Sequence, residues 1–173
     1  MPMTPEADRR STVILGLGNP LMGDDGLGLA VLERLRREWD VPPGIELVDG
    51  GTWGMNLLPL IEDADRLILI DAIRGGVAPG DLITLERDQL PMYIAHKFSP
   101  HQVDLKEVLA LAELRGTLAE ETVAFGAEPA LVELQFGLSP LLETRVDAVA
   151  QLVIDRLVAW GHECEPRVAV TDA

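Results

Sequence analysis

The stretch Arg66–Asp71, RLILID, constrains this chain more than any other, because it packs four consecutive aliphatic residues into a run too short for a buried helix. A strand apolar on both sides needs cover on both sides, which points to a largely parallel sheet between two layers of helices. The neighbouring segments agree. Thr12–Gly18 (TVILGLG) and Gly44–Val48 read as strands, and Glu121–Gly126 as another, while Asp81–Glu86 alternates as a more exposed strand would. Between them the period turns helical. Leu27, Val31, Leu35 and Trp39 recur every four residues, and Trp53–Asp63 reads as a short helix interrupted near Pro59. Leu105, Val108, Leu109 and Ala112 form another apolar stripe, as do Leu142, Val146, Val149, Val153 and Leu157 after Ser139-Pro140. The expected fold is a three-layer α/β/α domain of the phosphorylase/hydrolase-like kind, with a twisted, mostly parallel central sheet.

At 173 residues one domain is expected, with an ordered core over about 12–160 and flexible ends at 1–10 and 162–173. Fourteen basic against 29 acidic residues leave a formal charge of −15, which argues against nucleic acid as partner and leaves cations or a basic protein segment. A signal-like apolar stretch and any run of membrane-spanning length are both missing, so the expectation is a cytoplasmic protein that does not meet a membrane. The single cysteine, Cys164, cannot close an internal disulfide and stands in the tail without a partner motif, a poor place for a nucleophile.

The first strand runs into Gly16-Leu17-Gly18-Asn19-Pro20 ahead of a helix, an arrangement shared with dinucleotide-binding turns. That fingerprint requires a glycine where Leu21 stands, and Asp24 and Asp25 would repel a pyrophosphate. The two acids fit different work. Asp24 suits a helix cap or a helper, and Asp25 falls in the first turn at the carboxyl edge of the sheet, where open α/β sheets bind ligands. Asp71 reaches the same edge from the end of RLILID, and a carboxylate there calls for a cation or several donors. Ser99-Pro100-His101-Gln102 reads as a capped helix start, with Ser99 as N-cap and Gln102 completing a capping box. The helix dipole there favours a neutral His101 imidazole, the form that binds metal. Two acids and a neutral histidine from three strand–helix junctions suit a borderline divalent ion. Asp49, in Asp49-Gly50-Gly51, reads as a turn residue.

The segments GLGNPLMGDDGLG, VDGGTWG, LILIDAI, FSPHQVDLKEVL, GAEP and GLSP, in this order from about Val13 to Leu157, resemble the signature segments of the hydrogenase-maturation endopeptidases. The resemblance implies a protease that removes a C-terminal extension from the large-subunit precursor of nickel–iron hydrogenase once nickel is installed. It further implies that Asp25, Asp71 and His101 grip the nickel, that the substrate supplies the metal, and that Asp49 orients the site or the peptide. A monomer is expected. Two other readings stand beside it: a metal-dependent docking chaperone that binds the precursor without cutting, and a peptidyl-tRNA hydrolase, which also opens with Gly-Leu-Gly-Asn-Pro. The second is weakened by the lack of any histidine in LMGDDGLGLAVLERL and by the acidic charge.

Overall fold

The computed structural model describes residues 10–51, 54–96 and 103–168. In chain order the elements are β1 (Thr12–Gly16), α1 (Leu27–Glu38), β2 (Trp39–Asp40), β3 (Ile45–Asp49), α2 (Leu58–Asp63), β4 (Arg66–Ala72), β5 (Leu82–Leu85), α3 (Leu90–His96), α4 (Val103–Leu114), β6 (Glu121–Ala127), α5 (Pro140–Glu143), α6 (Val146–Ala159) and β7 (Glu165–Pro166). Five strands form the main sheet in the order β3-β1-β4-β6-β5. All neighbours run parallel except β5, which pairs antiparallel with β6 at one edge.

Side chains alternate along each strand, and the alternation sorts the core into two layers. Ile14, Ile68, Ile70, Val123 and Phe125 pack with α1 and α6. Val13, Leu15, Leu67, Leu69 and Ala124 pack with α2, α3 and α4. Every residue of β4 is buried, as its apolar run requires, and the expected three-layer α/β/α architecture is the one observed.

Several local features differ from the sequence reading. Pro59 does not interrupt a helix: residues 54–57 form a 3₁₀ turn, and Pro59 sits in the first turn of α2, where its missing N–H costs nothing. The final helix begins at Ser139 as expected, with Leu142 N donating to Ser139 Oγ, but breaks at Thr144–Arg145 into α5 and α6. The Ser99–Gln102 capping box lies outside the described residues, whereas one does form between Glu86 and Gln89 ahead of α3, a helix that carries no clear period. Near the C-terminus Glu165–Pro166 form β7 and pair antiparallel with β2. Arg167 N donates to Glu38 O at 2.7 Å, and the Arg167 guanidinium meets Asp40 at 2.8 Å.

Sheet order decides where a ligand can enter. From β1 the chain crosses by α1 to β3 on one side, then returns by α2 to β4 on the other, so the connections diverge at the carboxyl end of β1. Gly16 pairs there with Asp49 of β3 and Ile70 of β4, which brings three loop origins into one row.

Candidate functional site

The turn after β1 brings the first acids to this row. Gly18 has φ +106, and a Cβ on it would lie 1.7 Å from the Asp25 carbonyl oxygen, so the chain can pass beneath Asp25 only as glycine. Asn19 then turns the chain by accepting from Leu21 N on its side chain and from Met22 N on its carbonyl. Residues 23–26 form a 3₁₀ turn that leads into α1. Gly28 lets that helix settle directly on the strand ends, since a Cβ would meet Ile70 O at 2.2 Å.

Asp24 and Asp25 are adjacent in sequence and both buried, but they face different partners. Asp24 makes no capping bond to the helix. Its Oδ2 accepts from Ala130 N and Leu131 N, each at 2.8 Å, and from Ser139 Oγ at 3.0 Å; its Oδ1 accepts from Ser139 N at 2.7 Å. The carboxylate is thus a latch for the 130–139 loop, a role that replaces the cap expected from sequence. Asp25 Oδ2 accepts from Asn19 N at 2.9 Å.

Asp71, at the end of β4, is fully buried, and Tyr93 of α3 donates its hydroxyl to Asp71 Oδ2. Tyr93 is the site residue that the sequence reading missed. Burial pushes its phenol well above the ordinary tyrosine value, and the negative charge of Asp71, the hydrogen bond to it and the charge of Asp25 push the same way. Asp25, in the turn seated over the end of β1, and Asp71, at the end of the adjacent β4, stand at the same carboxyl edge of the sheet. Two buried carboxylates at one edge repel, and a divalent cation bound there would relieve that repulsion.

Asp49 takes the turn role: its Oδ1 accepts from Gly51 N at 2.8 Å, and Gly50 N donates to Gly16 O. It also lines a groove of about 340 Å³ between α1 and residues 136–138. His101 lies outside the described residues. Among the described residues no three metal-ligating side chains come together, and no helix is long and apolar enough to cross a membrane. Cys164 is half-buried against the α1–α6 layer, and burial raises its thiol, the opposite of what a nucleophile needs.

The hydrogenase maturation protease family model matches residues 29–156. The chain is 34% identical over 161 residues to hydrogenase 2 maturation protease of Escherichia coli K12, covering 92% of this chain and 98% of that protein. It is 36% identical over 153 residues to the hydrogenase expression/formation protein HupD of Rhodobacter capsulatus, covering 87% of this chain and 73% of that one. Among solved structures, the hydrogenase maturating endopeptidase HybD from E. coli superposes with a TM-score of 0.84 at 33% identity, covering 91% of this chain and 98% of that one. The [NiFe] hydrogenase maturation protease HycI of Thermococcus kodakarensis superposes at 0.66 with 26% identity, covering 86% and 93%.

Proposed function

Since the chain belongs to the hydrogenase maturation protease family and is a peptide hydrolase of that kind, we propose that it removes the C-terminal extension of a nickel–iron hydrogenase large-subunit precursor after nickel has been inserted. The nickel arrives as part of the substrate and is what the enzyme recognises, gripped by Asp25, Asp71 and His101. The observation that carries this reading is the burial of two carboxylates, Asp25 and Asp71, at the neighbouring carboxyl ends of β1 and β4, where the sheet connections diverge.

The donor set fits such an ion. Two carboxylates and an imidazole offer mixed oxygen and nitrogen ligands, which suit borderline first-row divalent metals. Three ligands also leave coordination positions to the substrate that carries the metal. The chain's own residues prepare this grip. Asn19 N and the Gly18 turn orient Asp25, and Tyr93 fixes one oxygen of Asp71. Burial of both carboxylates keeps bulk water from competing for the cation. With the metal recognised, the adjoining peptide is held for attack by water, which either a carboxylate acting as general base or a metal-lowered water pKa would activate.

The test is incubation of nickel-loaded precursor with this protein, followed by mass analysis of the large subunit. Release of the extension is expected with nickel and not from metal-stripped precursor. Efficient cutting of the metal-free form would overturn the recognition role, and stable binding without release would replace the protease by a docking chaperone. In the same assay His101→Ala is expected to abolish processing, and normal processing by that variant would remove His101 from the ligand set.

A further inference from the structure

The loop held by Asp24 carries the most exposed aromatic group among the described residues. Phe136 is 84% exposed, Leu134 85%, and Leu21 beside them 52%. A loop that exposes such groups would ordinarily be expected to move, yet this one is pinned along its length. Met22 and Gln135 form a parallel bridge, Gly23 N donates to Gln135 O at 2.8 Å, and Gln135 N donates to Leu21 O at 3.0 Å. Asp24 adds its four bonds to residues 130, 131 and 139. Large apolar groups held rigidly in water are the usual mark of a docking surface, since ordering them costs little on binding.

Phe136 and Leu138 also form one wall of the groove over α1, with Leu29 opposite. Its polar lining is Asp49, Glu33, Glu143 and Arg36. Arg36 is already engaged, donating to Glu33 Oε1 at 2.7 Å and to Leu47 O at 3.0 Å. The groove is therefore apolar along its wall and net negative along its rim, in a chain of formal charge −15. Gly23 and Gly26, the residues that bracket Asp24 and Asp25, belong to the lining, so groove and acids share one 3₁₀ turn.

We propose that this groove and its Leu134–Phe136 rim dock a segment of the precursor polypeptide that combines apolar side chains with positive charge. The apolar side chains pack against Phe136, Leu138 and Leu29, and the cationic group meets Glu33, Glu143 and Asp49. The proposal deepens the processing reading above and rests on it. Docking against the turn that holds Asp25 places the substrate chain on the element that carries the acid, so binding there would set the register of the peptide at the carboxyl edge.

The experiment measures steady-state processing of nickel-loaded large-subunit precursor by three full-length variants: Leu134→Ser with Phe136→Ser, Glu33→Lys with Glu143→Lys, and Leu114→Ser. The first two are expected to raise KM about tenfold while kcat stays within about twofold. The charge-reversed variant should also lose the rise of KM with salt expected of the wild type. Leu114, equally exposed at 85% at the end of α4, should give wild-type constants. Unchanged KM in both groove variants overturns the docking proposal while leaving the protease reading intact. Failure of the wild-type protein to process the precursor overturns both. If the Leu134/Phe136 variant instead splits a wild-type dimer without changing KM, the rim is a contact between copies and the proposal falls.

Discussion

Asp24 and Asp71 stand at two junctions of the same sheet edge, and each is wholly shielded from water. Their surroundings differ in kind. Asp24 is surrounded by four donors from the 130–139 loop, three of them backbone N–H groups, so its charge is satisfied by dipoles fixed in the fold. Asp71 instead meets a side-chain hydroxyl, accepting from Tyr93, whose phenol is raised by burial and by the negative charge of Asp71. Equal burial thus says little about duty. What separates the two is the kind of group each meets: backbone donors of a loop that it fastens for Asp24, a tyrosine hydroxyl at the ligand-binding edge for Asp71.

The sharpest way to break this contrast is to change the acids one at a time. Asp25→Asn keeps the acceptor for Asn19 N and the shape of the turn but removes the charge. Processing of nickel-loaded precursor should drop by about 10²-fold or more, with an unfolding midpoint near that of the wild type; normal processing would remove Asp25 from the site. Asp24→Ala should do the reverse. It strands donors at residues 130, 131 and 139, and denaturant unfolding should register a loss of about 3 kcal/mol. A stability within error of wild type would show that the latch carries no weight.

Tyr93→Phe tests the other side at smaller amplitude. Losing the bond to Asp71 should cost about 1–2 kcal/mol in denaturant unfolding and lower kcat for processing more than it changes KM. Equal rates would mean that Asp71 needs no positioning. The same residue gives a pH dependence with a definite sign. Its folded-state value is raised above the ordinary 10.0, so the unfolded chain loses the phenol proton first as pH rises. The stability Tyr93 contributes is therefore complete below pH 10 and declines above it, toward the higher folded-state value. Wild-type unfolding followed between pH 9 and 11 should show this decline, and Tyr93→Phe should lack that component. An identical alkaline slope in both would contradict the assignment.

The legible parts of this molecule were those whose physics is local. β4 announces itself by an apolar run that ends in Asp71, and the GNP turn with its two acids fixes the start of α1. The division of labour between Asp24 and Asp25 was half legible. Asp25 could be read as facing the carboxyl edge, but the partners of Asp24 lie 106 to 115 residues away, and no local pattern signals them. Tyr93 escaped because α3 has only seven residues, too few for a period to emerge. The remaining signal was slight: the chain's single tyrosine, set among apolar neighbours in a segment without periodicity. The break between α5 and α6 was hidden for a similar reason. Neither Gly nor Pro marks Thr144–Arg145, and Leu142 stays in the core across it.

The clasp between β2 and β7 has a practical consequence. α1 leaves the carboxyl edge at Leu27 and runs twelve residues, about 18 Å, before β2 catches the tail. Residues 165–166 therefore lie at the pole away from Asp25 and Asp71. A handle joined at that pole can fix the protein to a surface with the carboxyl edge of the sheet turned away from it, where a large partner has room to approach.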